Sequence, residues 1–326
     1  MTFKKSGLDK LAEPAEVLTP EYIWSGGSIM PWDDATVHVT AMSWTAISAV
    51  FEGIRAYWNE DMNQLYIFRL EAHMKRLWDS MKLMRMSSPY SSQELENAII
   101  QLLRANQSAC DTYISPFAYF SGSVPGYRAA YQLPVEIYIT GRSNPSNLER
   151  NRGSRCCVSS WARISDNVMP PRAKGIANYQ NSRLVSTDAH INGYDAGIIL
   201  NAQGKVAEGA YACIFLIRNG VAITPPVTAG ILEGITRETV IELFQEDLGM
   251  TVEEREVDRT ELYVADEVFL CGTYAEIEPV VSVDKYRVGS GRIGRTTKHV
   301  RQLYKDIVRG RVESRLEWLT PVWKSL

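Results

Sequence analysis

Residues 212–225, ACIFLIRNGVAITP, constrain the fold more than any other stretch of this chain. Two β-rich segments flank Asn219-Gly220, and an Asn-Gly pair so placed is a strong hairpin signal because both residues tolerate the positive φ of a tight turn. At least one sheet must therefore contain antiparallel pairing. Around the hairpin, strand-like and helical periods alternate. Residues 65–70 (LYIFRL) read as a strand, and residues 71–84 then place Met74, Leu77, Met81 and Met84 at helical spacing. A second helix is expected from the capping-type pattern beginning at Ser92, leading to the strand-like TYISPFAYF and VEIYIT. CCVSSW, GIIL and EVFLCGT read as further strands, with helices around residues 179–190, from ITRETVIELFQEDLG, and over TTKHVRQLYKDIVRG.

Residues 142–153 are poor in apolar side chains and rich in Asn, Ser and Arg, which marks a linker. The expected organisation is α/β (α+β): a small N-terminal domain over 1–141, the linker, and a large C-terminal domain over 154–326. A chain of 326 residues with 45% apolar and 22% charged side chains can bury two such cores.

Several function classes lose their footing here. A net charge of −3 gives no electrostatic reason to expect nucleic acid or an anionic membrane. No apolar run approaches a membrane span, and the first twenty residues lack the apolar stretch of a secretory signal. Five cysteines without C-x-x-C spacing suit reduced thiols and a cytoplasmic setting. His38, His73, His190 and His299 are dispersed, so no metal is expected. GSGRIG (289–294) matches G-x-G-x-x-G, but too little chain follows its helix to complete a βαβ unit, so a plain glycine-rich turn is expected.

Lys174 stands apart from the other lysines of the second half. It lies in MPPRAKGIANYQN, after two prolines and before a glycine, among small and apolar residues. An amine desolvated by such surroundings is a better nucleophile than a solvated one. This alone leaves open whether Lys174 is a packed charge or a reacting group.

The wider context is more specific. FEGIRAY, AKGIANYQNS, GKVAEGAYACIFLIRNGVAITPP, ILEGITRETVIEL and ELYVADEVFLCGT occur in an order and at lengths that resemble the branched-chain aminotransferases. These are pyridoxal 5′-phosphate enzymes of fold type IV, with the D-amino-acid-transaminase-like fold. The resemblance runs from EYIWSGGSIMPWDDATVHV to RQLYKDIV, nearly the whole chain. It implies that the C-terminal domain binds the cofactor and that Lys174 is the catalytic lysine attached to it. Tyr179 matches the tyrosine at the phenolic oxygen, Glu208 the carboxylate at the pyridine nitrogen, and Arg76 a phosphate-binding arginine. Leu232 matches a residue packed on the ring; Ile235, Thr236 and Thr273 match the remaining phosphate contacts. Phe51, Gly53, Tyr113, Ser115, Tyr274 and Ala275 fall at substrate-pocket positions.

The pocket departs from the family pattern. YISP has Ser115 where the family carries an arginine that receives a side-chain carboxylate, a loss of about 1.5–3 kcal/mol for a bond to a charged group. Tyr274 brings a bulky phenol into a turn that otherwise holds small residues. Ala46 and Ile47 stand where a Tyr-Gly pair is usual, and Cys213 replaces an asparagine. Cofactor chemistry is thus expected to be retained while substrate choice shifts. Alternatives are an (R)-amine or D-amino acid transaminase, or another fold type IV enzyme such as a lyase. The resemblance further implies a small amino donor and 2-oxo acid acceptor, and a homodimer whose neighbouring loop, residues 121–130, completes the site.

Overall fold

The computed structural model describes residues 19–41, 43, 46–123 and 131–323. Most of the loop expected to complete a neighbouring site, residues 124–130, lies outside the described residues.

The first sheet draws on β1 (Tyr22–Ser25), β2 (Ser28–Pro31), β3 (Ala49–Phe51), β4 (Ile54–Asn59), β5 (Gln64–Phe68), β6 (Thr112–Phe120) and β7 (Val135–Ser143). Two helices, α1 (Leu70–Leu83) and α2 (Ser92–Ala105), join its core. Their apolar stripes, Met74, Leu77 and Met81 on α1 and Leu95, Ile99 and Leu102 on α2, pack in one cluster with Ile114, Ala118, Ile137 and Ile139. The alternate residues of β6 and β7 point the other way, so Tyr113, Ser115, Tyr138, Thr140 and Arg142 line a cavity. The capping box of α2 uses Ser91 and Glu94, one residue earlier than the Ser92 start expected from sequence. Two adjacent serines offer the same hydroxyl, and only Ser91 has a glutamate three residues on.

The second sheet begins with β8 (Ser154–Ala162), followed by α3 (Tyr179–Ile191), β9 (Ala196–Leu200), β10 (Val206–Gly209), β11 (Cys213–Arg218) and β12 (Val221–Thr224). Next come α4 (Ile235–Glu242), β13 (Val252–Glu254), α5 (Glu261–Val264), β14 (Glu267–Gly272), β15 (Glu276–Val283), β16 (Tyr286–Arg287) and α6 (Arg295–Val308). The order is β10-β9-β8-β15-β14-β11-β12-β13, with β16 beside β15. The Asn219-Gly220 hairpin forms as its sequence requires: Arg218 pairs with Val221, and φ is 51° at Asn219 and 79° at Gly220. Beyond α4 the helix widens into a π turn over Leu243–Asp247, where Leu248 N–H bonds the carbonyl of Leu243 five residues back. Gly249 ends it with a φ of 59°.

The last strand, β17 (Leu319–Pro321), pairs antiparallel with β5 and so belongs to the first sheet, whose order is β17-β5-β4-β6-β7-β1-β2 with β3 beside β6. The halves are also joined by a shared core. Tyr57, Tyr66 and Phe68 of the first sheet pack with Phe215, Phe244, Phe269, Val300 and Tyr304 of the second half. A close-packed apolar interface of this kind fixes the two sheets relative to one another. GSGRIG is a turn ahead of α6, whose first amides, at Thr296 and Thr297, already donate to the Glu267 carboxylate at 2.9 and 2.7 Å. That helix N-terminus is satisfied from within the chain.

Candidate active site

Lys174 is held on rigid backbone. Its N–H donates to Ser80 Oγ on α1 at 3.0 Å, and its carbonyl accepts from Phe51 N–H at 3.0 Å. Asn178 staples the preceding turn by donating to the carbonyls of Pro170 and Ala173, both at 3.0 Å. The lysine segment thus bridges the two halves, and its side chain enters a cavity of about 310 Å³ between them. There Nζ lies 2.7 Å from the Tyr179 hydroxyl and 4.9 Å from the centroid of the Phe51 ring.

Glu208, on β10, lines the same cavity and is buried. Burial pushes its carboxyl above the ordinary range; the opposing charge of Arg163 and the Leu232 N–H hold it down. Arg163 Nη2 is 3.0 Å from Glu208 Oε1, and Leu232 N–H donates to Oε2 at 3.1 Å. Arg163 is fixed in turn by an Nε bond of 3.0 Å to the Gly230 carbonyl. Its own neighbours in sequence give no sign of this partner, which lies on another strand.

A third wall is formed by the start of α4, where Gly234, Ile235 and Thr236 meet Arg76 from α1. Amides in the first turn of a helix have no carbonyl partner within it, so they suit an anion. Gly234 is required by space, since a Cβ there would sit 2.7 Å from Cys213 Sγ. Arg76 is aimed by Glu52, which accepts from Nε at 2.7 Å and from Nη2 at 2.8 Å. His73 Nδ1 lies 2.7 Å from the same carboxylate. Although burial opposes its charge, Arg76 and His73 together hold Glu52 well below the usual carboxylate range. Glu52 and Arg163 are two positioning residues that sequence alone does not disclose, because spacing reveals neither pair.

Phe51, Tyr113, Thr273 and Tyr274 complete the lining of this cavity. Thr273 is held by Arg55, whose Nε donates to its carbonyl at 3.1 Å; the guanidinium also bonds Asn144 and faces Glu276. Gly53 leaves room for Tyr113, because a Cβ there would come within 1.9 Å of the phenol oxygen. Tyr274 packs edge-on to Tyr113 at 5.9 Å and is 58% exposed, so its phenol forms a rim. Ser115 lies apart, in an adjoining cavity of about 670 Å³ that shares Tyr113. Ala275 lines a third, of about 870 Å³, with Tyr274. Cys213 is inert: burial pushes its thiol up to about 12.

An amine on one wall, a buried carboxylate on another and a helix start with an arginine on the third fit a cofactor bearing an aldehyde, a ring nitrogen and a phosphate. The comparisons with known proteins agree. Residues 49–283 match the family model described as Amino-transferase class IV. The chain belongs to the class IV aminotransferases. It is 42% identical to a probable branched-chain-amino-acid aminotransferase of Aquifex aeolicus over 93% of this chain and 97% of that one. A branched-chain amino acid aminotransferase of Thermobaculum terrenum in its PLP-form superposes with a TM-score of 0.90 at 48% identity, covering 94% of this chain and 99% of that one. The branched-chain aminotransferase of Thermoproteus uzoniensis with norvaline gives 0.89 at 40% identity, covering 93% and 100%. This aminotransferase is accordingly a pyridoxal 5′-phosphate enzyme of fold type IV that moves an amino group between an amino compound and a 2-oxo acid.

Proposed function

We propose that this class IV aminotransferase exchanges amino groups between a branched-chain amino acid and a 2-oxo acid, with Lys174 as its catalytic amine. The observation that carries the reading is the single cavity joining Lys174, Tyr179, Glu208 and the start of α4. Bound pyridoxal phosphate supplies an electron-withdrawing ring that stabilises the charge left when the substrate Cα–H bond breaks. Lys174 Nζ would be the base that takes the substrate Cα proton and the acid that gives it back, a role typically worth ~10²–10⁴-fold in rate. Tyr179 orients the amine through its 2.7 Å bond. Glu208, whose rise on burial Arg163 opposes, would face the ring nitrogen and hold a proton there. Arg76, Ile235, Thr236 and Thr273, which line the same cavity, would anchor the phosphate, and Leu232 would pack on the ring.

Phe51, Tyr113 and Tyr274 supply apolar surface for a hydrocarbon side chain. Support for the substrate class comes from the branched-chain enzymes to which the chain is similar. Ser115 in place of an arginine favours a second reading, in which the donor is an amine or a D-amino acid. One assay decides between them. The purified enzyme is mixed with leucine, D-alanine or a chiral amine, and conversion of the bound cofactor to its amino form is followed by absorbance. Fast conversion by leucine supports the first reading, and conversion only by D-alanine or the amine supports the second.

A homodimer with shared sites is part of this proposal. Its test is activity on dilution, which should fall as subunits separate; full activity in a proven monomer would refute it. Five free cysteines accord with a cytoplasmic enzyme. No helix among the described residues is long and apolar enough to cross a membrane.

A further inference from the structure

The cavity behind Tyr113 carries a cation that nothing among the described residues neutralises. β6 and β7 run antiparallel with Tyr113 opposite Arg142 and Ser115 opposite Thr140. Arg142 is therefore the diagonal neighbour of Ser115 on the same face, within reach of a long side chain. Both line the 670 Å³ cavity, in which Arg142 is the one cation among the described lining residues.

The guanidinium of Arg142 is placed but unpartnered. Its carbon lies over the Trp32 ring, 4.8 Å from the centroid, a cation–π contact that holds it in place. Its Nε is buried without a hydrogen-bond partner, and no carboxylate among the described residues lies within 4.0 Å of it. The acidic groups that share a cavity with Arg142 are engaged elsewhere or stand apart: Asp195 pairs with Arg152 and Arg155, and Glu278 accepts from Ser154. Asp33 lines the 670 Å³ cavity as an exposed residue without pairing with Arg142. A buried N–H with no acceptor is costly unless something fills it, and a guanidinium edge matches a carboxylate. The cavity meets the Lys174 cavity at Tyr113, so a molecule with its amino end at Lys174 can extend past that phenol towards Arg142.

We propose that Arg142 is the specificity-determining receptor for the distal carboxylate of a dicarboxylic amino donor or 2-oxo acid acceptor. The proposal rests on the aminotransferase reading above and names one of its two substrates. Charge that Ser115 does not provide on β6 is supplied from the adjacent strand. Monocarboxylic substrates leave Arg142 unengaged and use only the apolar walls.

The test is equilibrium binding to the purified holoenzyme by calorimetry. Glutarate serves as an unreactive dicarboxylate and 4-methylvalerate as an unreactive monocarboxylate. Arg142→Met should weaken glutarate by at least about tenfold, the loss of a bond to a charged group, and leave 4-methylvalerate within about twofold. Arg142→Lys should fall between, because it keeps the charge without the fork. Adding Ser115→Arg to Arg142→Met should restore glutarate binding. Equal weakening of both ligands, unchanged glutarate affinity, or wild-type enzyme that does not bind glutarate would each overturn the proposal. Failure of the branched-chain reading shows up separately, as wild-type cofactor that leucine does not convert.

Discussion

Arg76 and the fully buried Glu52 are joined by two parallel hydrogen bonds of 2.7 and 2.8 Å, while a third, from Arg76 Nη1, reaches the Glu233 carbonyl at 2.7 Å. The arginine is therefore oriented before any anion arrives, and it ties α1 to the segment leading into α4. Glu52→Gln leaves a partly buried guanidinium poorly matched, and the loss should lie below the about 3–5 kcal/mol of a fully buried pair, at about 1.5–3 kcal/mol for a bond to a charged group. Urea denaturation should show a loss of that order, and cofactor titration should show weaker binding.

The same pair sets a pH dependence. Glu52 is held below its ordinary value, so its stabilisation is complete above the unfolded carboxyl value of about 4.3 and is lost as pH falls. His73 acts with the same sign, since burial lowers its folded value below the unfolded one of about 6.5 and acid must charge it inside the core. The gap in stability between wild type and Glu52→Gln should be full at neutral pH and narrow below about pH 4. A gap that widened in acid would contradict the ion pair.

Arg163→Met tests the far end of the site. Burial raises the Glu208 carboxyl and Arg163 opposes that rise, so removing the guanidinium lifts it further. If the ionised form is the working one, the acid limb of a kcat–pH profile should move to higher pH. Glu208→Gln should remove that limb and lower kcat by about 100-fold or more, the scale seen when an electrostatic partner is lost. An unmoved acid limb in Arg163→Met would separate Arg163 from the chemistry.

Gly53→Ala should drive a methyl group into the Tyr113 phenol, whose oxygen and adjacent ring carbon lie 1.9 and 2.7 Å from where it would sit. Overpacking of this kind costs about 1–3 kcal/mol. Tyr113→Ala in the same chain should relieve most of it, so a double-mutant cycle on denaturation midpoints should be strongly non-additive. Additive losses would mean that Tyr113 does not depend on the glycine.

Local signals make much of the architecture readable. The Asn219-Gly220 hairpin, the amphipathic stripes of α1 and α6 and the stop at Gly249 depend on a few neighbouring residues, and each forms near its expected place. Lys174, Tyr179 and Glu208 are marked by the motifs around them, and the fold brings them to one cavity. What stays hidden depends on distant partners. Nothing near Arg163 in sequence points to Glu208, and nothing near Arg142 discloses that it faces the same cavity as Ser115. The pairing of β17 with β5 is equally illegible, because a short strand close to the end of a chain carries no mark of the sheet it will join.

The central claim is that Lys174 is the amine that carries the cofactor, and its most direct measurement is chemical. The purified holoenzyme is reduced with borohydride, digested, and its peptides mapped by mass. A single pyridoxyl group on Lys174, absent from Lys174→Ala, is the predicted result. The group on another lysine, or no labelled peptide at all, would contradict it.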